Sequence, residues 1–207
     1  MADFYLASHS ARRRELLRQI GARFETLLLR SALPRGPDIS ELQRPDEAAA
    51  DYVVRVAREK AENGVQALLS RTLLPKPVLG ADTVVIVDGD ILGKPQDVQQ
   101  AARFLERLSG RTHEVRTAIA LALPAPERHH TIATAVSITQ VTMRTMEAQE
   151  IQNYCASGEP FDKAGGYAIQ GRAAIFVERI EGSYSGVVGL PLAETASLLG
   201  RAGVRIL

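Results

Sequence analysis

The chain has 207 residues, of which 45% are hydrophobic and 24% are charged, with 25 Lys and Arg against 24 Asp and Glu. These values predict one soluble α/β domain over residues 1–207, with one sheet that can extend into two lobes. The balanced charge argues against a stable nucleic-acid partner. The longest apolar run, 118–123, is far below the roughly 18 residues that span a bilayer, so no membrane association is expected. A lone thiol, Cys155, and the absence of a signal-peptide pattern favour the cytoplasm.

The predicted elements alternate between strands and helices. Strands are predicted at 3–7, 23–29, 78–87, 112–123, 130–144, 173–180 and 204–207, and helices at 11–20, 46–69, 96–108, 147–156 and 191–199. Loops are predicted at 31–45, 161–171 and 182–189, and Gly64 is expected to interrupt the second helix. Asp88-Gly89 predicts a hairpin turn into a short strand at 91–92. This order predicts an α/β fold, and the long adjacent strands after residue 112 predict a mixed sheet.

The segment from Ser8 to Arg13 follows the first strand and begins the first helix. Unpaired main-chain N–H groups and the helix dipole favour an anion at such a position. The guanidinium groups of Arg12 and Arg13 strengthen that preference, because arginine donates to phosphate as a fork. The alternative interpretation is a capped, solvated helix start with no ligand.

Asp82 lies inside an otherwise apolar strand, within Gly80-Ala81-Asp82-Thr83. A carboxylate is costly to bury unless it is paired or binds a metal. Glycine at position 80 allows another backbone or a ligand to approach closely. Asp82 is therefore a candidate for holding a divalent cation or for taking a proton from water. The alternative is an aspartate that accepts hydrogen bonds from nearby main-chain N–H groups.

The lysines and the glycine-rich loops form weaker signals. Only four of the 25 basic residues are lysines, and Lys60, Lys94 and Lys163 stand in distinctive surroundings where a compact ammonium could contact a phosphate. In the loop 161–171, Gln170 offers a donor and an acceptor on one amide, as reading a base edge requires. Chance accounts equally for the lysines, and tight turns packed on the sheet account for the loops. No P-loop, dinucleotide-binding glycine motif or nucleophile elbow occurs.

Six blocks of sequence carry a resemblance to a known family: LASHSARRRELL at 6–17, REKA at 58–61, LGADTVVIVDGDILGKPQD at 79–97, LSGRTHEVRTAIAL at 108–121, FDKAGGYAIQG at 161–171 and IEGSYSGVVGLPL at 180–192. In this order, and over nearly the whole chain, they resemble the Maf family of nucleotide pyrophosphatases.

The resemblance implies a long mixed sheet flanked by helices, with two lobes around a central cleft, similar to inosine triphosphate pyrophosphatases. It also implies an enzyme that cleaves nucleoside triphosphates between the α and β phosphates with Mg²⁺ or Mn²⁺ and that clears non-standard or excess nucleotides. The blocks ADT and IQG resemble the dTTP/UTP branch rather than the branch that acts on 7-methyl-GTP. Family members are commonly dimers, so a homodimer is expected.

The resemblance also implies roles for individual residues. Asp82 matches the catalytic aspartate that accepts a proton from water, and it is an expected metal ligand. Glu41 is a second expected metal ligand, within an acidic segment that reads Asp38-Ile39-Ser40-Glu41 where the family often has one more acidic residue. The positions associated with substrate choice are Arg12, Thr83 and Gln170, and those associated with the phosphates or the metal are Ser8, Arg13, Lys60, Lys94 and Lys163.

Two functions from different classes follow. The first is a pyrophosphatase that acts on dTTP and UTP, with a member of the same family acting on another or a modified base as a variant. The second is a regulator of cell division that binds nucleotide or nucleic acid and has lost catalysis; the arginines after Ser8 favour it, whereas the balanced charge and Asp82 count against it.

Overall fold

The computed structural model describes residues 2–29, 39–124 and 131–207. The strands are β1 (Phe4–Leu6), β2 (Phe24–Thr26), β3 (Val78–Val87), β4 (Asp90–Leu92), β5 (Thr112–Leu123), β6 (Thr131–Met143) and β7 (Val177–Glu181). The helices are α1 (Ala11–Gln19), α2 (Ala49–Ser70), α3 (Val98–Leu108), α4 (Ala148–Ala156), α5 (Tyr184–Val188) and α6 (Leu192–Arg201). None of the helices in these ranges is both long enough and apolar enough to cross a membrane.

The strands form one seven-stranded sheet in the order β2-β1-β3-β5-β6-β7, with β4 paired to β3. β1 is parallel to both β2 and β3, whereas the β3–β4 and β6–β7 pairs are antiparallel. The predicted α/β class and mixed sheet are therefore confirmed. The hairpin turn is also confirmed, because Asp88 and Gly89 have φ values of 54° and 86°, as a tight turn between antiparallel strands requires.

The chain divides into two compact units. The first unit comprises Met1–Asp82, Thr117–Val136 and Gly189–Leu207, and the second comprises Thr83–Arg116 and Ser137–Val188. Strand β3 therefore passes from the first unit to the second directly after Asp82. The assignment of residues 1–207 to a single domain stays a prediction.

In the first unit, α2 packs against the start of β3 and buries the apolar face that the sequence predicted. Tyr52, Val53, Val56 and Ala57 are all buried on that face. The expected interruption at Gly64 is wrong, because α2 continues through it. A Cβ atom at Gly64 would lie 2.5 Å from Val78 Cγ1, so the glycine allows the helix to approach the strand closely.

In the second unit, α3, α4 and the start of β7 surround one apolar core. Its buried members include Leu105, Val141, Tyr154 and Phe176, and the thiol of Cys155 is buried among them as a small apolar group.

Three predicted segments differ in the structure. The strand expected at 173–180 is a 3₁₀ turn over Arg172–Phe176 followed by β7, and the loop expected at 182–189 contains α5. The strand expected at 204–207 is absent, and these described residues have no regular structure. Asp38 of the acidic segment, part of the loop predicted at 31–45 and the connection before β6 lie outside the described residues.

Candidate active site

Helix α1 begins beside the end of β1, as the sequence predicted. Ser10 caps the helix, because its Oγ accepts a hydrogen bond from the main-chain N–H of Arg13. Ser8 is buried, and its Oγ accepts from the main-chain N–H of Ser10 at 3.1 Å. Both serines therefore shape the helix start, which is the local structure that the alternative interpretation expected.

Arg13 is buried and ties this helix to the neighbouring strand. Its Nη1 donates to the main-chain oxygen of Ala81 at 2.7 Å, and its Nε donates to the main-chain oxygen of Gly189 at 2.8 Å. Burial lowers the pKa of Arg13, while the negative charges of Asp82 and Glu41 act in the opposite direction. The guanidinium of Arg13 thus holds the backbone next to Asp82 and interacts electrostatically with the Asp82 carboxylate.

Asp82 lies in β3 three residues beyond Leu79, which pairs with Leu6 at the end of the parallel strand β1. Its residue is only 9% exposed. The close approach that glycine at position 80 predicted is made by helix α2: a Cβ atom at Gly80 would lie 2.4 Å from the main-chain oxygen of Ala57. The backbones of α2 and β3 are therefore in contact at Gly80, two residues before the buried carboxylate of Asp82.

This contact brings Lys60 of α2 to Asp82. The Nζ atom of Lys60 lies 2.8 Å from Asp82 Oδ1 and 2.7 Å from Glu41 Oε1. The side chains of Lys60 and Asp82 are mostly buried, whereas that of Glu41 is 49% exposed. Two carboxylates from separate segments thus share one ammonium, and Asp82 is paired with a side chain rather than with main-chain N–H groups alone.

The donor set at Lys60 is suited to a hard divalent cation. Within the described residues, no three His, Cys, Asp or Glu side chains are grouped so that they could hold a metal ion by themselves. Mg²⁺, however, is commonly held by one or two carboxylates and completed by water and substrate phosphates. Because Asp82 and Glu41 already place two carboxylate oxygens around one cationic group, these residues fit such an ion.

In the second unit, the segments that carry Lys94 and Lys163 are joined. The main-chain N–H of Gly165 donates to the main-chain oxygen of Gly93 at 3.0 Å. Gly165 has a φ of 70°, and a Cβ atom there would lie 2.9 Å from Val85 Cγ1. Lys163 donates to the main-chain oxygen of Glu159 at 2.7 Å. Lys94 and Lys163 therefore lie on two segments of the same unit that are hydrogen-bonded to each other.

Gln170 is exposed and stands at the end of the same glycine-rich loop. The next residue, Gly171, packs against the carboxylate of Glu159, which accepts hydrogen bonds from the main-chain N–H groups of Arg172 and Ala173. Of the other residues expected to govern substrate choice, Thr83 belongs to the second unit and Arg12 lies beside Arg13 in the first.

Residues 3–202 match the sequence profile of the family described as "Maf-like protein". The chain belongs to the Maf family. Among the relatives of this Maf chain, a protein of Nitrosomonas europaea named dTTP/UTP pyrophosphatase is 52% identical over 202 residues, which cover 98% of this chain and 95% of the relative. A protein of Bordetella parapertussis with the same name is 55% identical and covers 98% and 93%.

The Maf chain also has a partial likeness to a solved structure, a dITP/XTP pyrophosphatase from Mycobacterium abscessus. The TM-score is 0.43 with 16% identity, over 68% of this chain and 73% of that one.

The residues that hold the main chain around Glu41 were not predicted from the sequence. Tyr52 and Arg55 of α2, together with Glu47, contact the segment that carries this carboxylate. The only sequence signal for them was the spacing of Arg55 and Glu59, which places opposite charges one helical turn apart.

Proposed function

We propose that this chain is a nucleoside triphosphate pyrophosphatase that hydrolyses dTTP and UTP to the monophosphate and pyrophosphate. The relatives that share about half of its sequence over nearly its full length carry the name dTTP/UTP pyrophosphatase. The observation that carries the proposal is the pairing of the buried Asp82 and of Glu41 with the single ammonium of Lys60. The role is clearance of unwanted nucleotides.

In the proposed reaction, water attacks the α phosphorus and the bond from that phosphorus to the oxygen that bridges to the β phosphorus breaks. Asp82 accepts the proton that the water loses, as a general base. The pyrophosphate leaves with the electron pair of the broken bond, so negative charge increases on the leaving group. The ammonium of Lys60 contacts Asp82 and so places positive charge beside the proposed base, where it can stabilise the negative charge that develops.

Asp82 and Glu41 would hold a divalent cation, Mg²⁺ or Mn²⁺. Such an ion, when bound, neutralises phosphate charge and favours deprotonation of water. Arg13 acts indirectly in this proposal, because it donates to the main-chain oxygens of Ala81 and Gly189 and so holds Ala81 in place. Ser8 and Ser10 fix the start of α1 in the same way.

The proposal assigns substrate recognition to Arg12, Thr83 and Gln170, and phosphate contacts to Lys94 and Lys163. Thr83 and Gln170 lie in the blocks that resemble the dTTP/UTP branch. The partner is thus a small nucleotide, and the proposed location is the cytoplasm, where such nucleotides are made and used. A homodimer stays a prediction.

Product analysis tests the proposal directly. The full chain is incubated with dTTP or UTP and with Mg²⁺ or Mn²⁺, and the products are separated by chromatography. We expect dTMP or UMP together with pyrophosphate, and the same protein in a chelator is expected to be inactive. A panel of purine, 7-methylated and other modified triphosphates then ranks the preferred bases.

Other products would contradict the proposal. Release of orthophosphate with dTDP would mean that a different bond is broken. An absence of turnover with every triphosphate, combined with strongly salt-dependent binding to DNA or RNA, would favour the non-catalytic regulator.

A further inference from the structure

Glu41 lies on a segment that has no helix or strand of its own. Residues 39–48 run irregularly from the first described position after the gap to the start of α2. The carboxylate of Glu41 nevertheless lies 2.7 Å from Lys60 Nζ, although half of the side chain is exposed. Something other than regular secondary structure must therefore hold its backbone in place.

Two side chains of α2 hold this backbone on both sides of Glu41. Arg55 Nη2 donates to the main-chain oxygen of Leu42 at 3.0 Å, and Arg55 Nη1 lies 3.4 Å from the main-chain oxygen of Ser40. The hydroxyl of Tyr52 donates to the main-chain oxygen of Glu41 itself at 2.8 Å. Three consecutive carbonyl groups are thus bound by one face of one helix.

The guanidinium of Arg55 is itself fixed. Glu47 accepts from Nε at 2.5 Å and from Nη2 at 2.8 Å, and Glu59 accepts from Nη1 at 3.2 Å. Arg55 also lies over the ring of Tyr52, with 5.3 Å between its Cζ atom and the ring centre. The side chains of Arg55 and Glu47 are only 13% and 9% exposed, so this arrangement is shielded from solvent.

We propose that Arg55, together with Tyr52, is a positioning residue that sets the place of the Glu41 carboxylate beside Lys60 and Asp82. This inference rests on the proposed function for its consequence in the reaction, and on the hydrogen bonds above for the positioning itself. Among the residues that the structure describes, Arg55 forms no hydrogen bond with Asp82 or Lys60, and it acts through the main chain of residues 40–42.

Helix α2 thus contributes to the site in two ways from two successive turns. Lys60 reaches Asp82 directly, and Arg55 brings in a second carboxylate that the sheet does not carry. A guanidinium suits this task because its five N–H donors, spread over one plane, bind two carbonyls and two carboxylates here, whereas a lysine has three donors on a single nitrogen.

The test compares Arg55→Gln with Arg44→Gln in the full chain. Arg44 is a matched control, because its guanidinium also pairs with Glu59, at 3.0 Å. Unlike Arg55, its side chain forms no hydrogen bond with the main chain of residues 40–42 in the part of the chain that the structure describes. Amide hydrogen exchange of the peptide that contains residues 40–42 is measured without nucleotide or metal. Mn²⁺ alone is then titrated into each protein, and the free ion is measured by electron paramagnetic resonance.

We expect the peptide with residues 40–42 to exchange at least about tenfold faster in Arg55→Gln than in Arg44→Gln or the unmodified protein. The dissociation constant for Mn²⁺ should rise at least about fivefold in Arg55→Gln, and excess Mn²⁺ should restore most of kcat. Adding Glu41→Gln to Arg55→Gln should cause little further loss of Mn²⁺ affinity, because both changes remove the same ligand. Arg55→Lys should fall between Arg55→Gln and the unmodified protein.

Equal exchange in Arg55→Gln and Arg44→Gln would overturn the positioning role. Full additivity with Glu41→Gln, or a loss of activity that follows only the folded fraction, would overturn it as well. If the unmodified protein takes up no Mn²⁺ alone, the exchange comparison decides. The hydrogen-exchange comparison and the Mn²⁺ titration need no turnover, so a chain that releases no pyrophosphate from dTTP or UTP would refute the proposed function while the positioning role is judged separately.

Discussion

The proposed site residues are held in different ways in the two units. In the first unit their side chains form ion pairs with one another, whereas in the second unit the segments that carry the lysines are joined by a main-chain hydrogen bond. Asp82, Lys60 and Glu41 form one chain of ion pairs. Lys94 and Lys163, by contrast, lie on segments joined by a hydrogen bond between Gly93 and Gly165. Lys163 is in addition paired with the carboxylate of the neighbouring Asp162, at 2.7 Å.

The same difference extends to buried polar groups. The second unit buries a neutral pair, in which His113 Nε2 lies 2.7 Å from the hydroxyl of Tyr167. Burial lowers the pKa of His113 to about 4, so the imidazole is neutral at physiological pH. In the first unit the buried Arg13 keeps its charge, with two main-chain oxygens as partners. The first unit thus buries a charged group with two main-chain acceptors, whereas the second buries a neutral pair.

The largest effect is expected from Asp82→Asn, which removes the proposed base with little change in volume. We expect kcat for dTTP to fall at least about 10²-fold, as is typical for loss of a general base. Asp51→Asn, at an exposed position on α2, is the matched control and should leave kcat near that of the unmodified protein. Turnover of Asp82→Asn close to the unmodified rate would show that Asp82 is not the general base.

The next largest effect is expected from Gly80→Ala, which adds a methyl group where α2 meets β3. That Cβ would lie 2.4 Å from the main-chain oxygen of Ala57 and 2.7 Å from the main-chain nitrogen of Ala61. We expect a loss of about 2–4 kcal/mol in the free energy of unfolding, measured in urea, because backbone atoms must move. Gly200→Ala, in α6 with open space around it, should be neutral or slightly stabilising. Equal stability of the two variants would contradict the close contact.

The third effect concerns the pH dependence of stability and belongs to the second unit. His113 stays neutral in the folded chain down to about pH 4, whereas an ordinary histidine in the unfolded chain takes up a proton below about pH 6.5. Protonation therefore favours the unfolded state, and the free energy of unfolding should fall by about 2–3 kcal/mol as pH drops from 6.5 to 4.

His113→Gln should remove most of this slope between pH 6.5 and 4, as measured by urea unfolding at several pH values. The hydrogen bonds that lower the pKa of Glu47 and of Glu150 to about 2 cause a further loss of stability, but only as pH falls below about 4.5 toward 2. That part should be the same in both proteins. An unchanged slope above pH 4.5 in His113→Gln would show that another group titrates there.

The smallest effect is expected from Lys60→Met, which leaves Asp82 and Glu41 without their shared ammonium. Because Asp82 keeps some contact with solvent and Glu41 is half exposed, we expect a loss of only about 1–2 kcal/mol in the free energy of unfolding in a chelator. Mn²⁺ should stabilise Lys60→Met more than it stabilises Lys76→Met, since Lys76 donates to the main-chain oxygen of Ala2 instead of a carboxylate. Equal stabilisation of the two variants by Mn²⁺ would contradict the shared cation position.

Much of the fold could be predicted because local signals agreed with the tertiary structure. The bounds of β3 follow from an apolar run interrupted only near its middle by Asp82 and Thr83, and the turn at Asp88-Gly89 follows from residues that tolerate positive φ. The strand expected at 173–180 failed for a non-local reason. The carboxylate of Glu159 binds the main-chain N–H groups of Arg172 and Ala173, and this holds the chain in a turn despite its apolar residues.

The candidate site was predictable in part. A carboxylate in an apolar strand marked Asp82, and the adjacent Gly80 correctly indicated that a backbone comes close. The sequence could not show that this backbone is α2, nor that Lys60 would meet both Asp82 and Glu41, because those distances depend on how helix and strand pack. The support of Glu41 by Arg55 was hidden for the same reason, since main-chain acceptors leave no pattern in the side chains.

The contact at Gly80 also separates what can change in this site from what cannot. The position of Lys60 relative to Asp82 is dictated by two backbones in contact, whereas Glu41 depends on a few side-chain bonds to an irregular segment. Natural variation or protein engineering could thus move the Glu41 carboxylate through residues 39–47, Tyr52 and Arg55, while the contact between Lys60 and Asp82 stays intact.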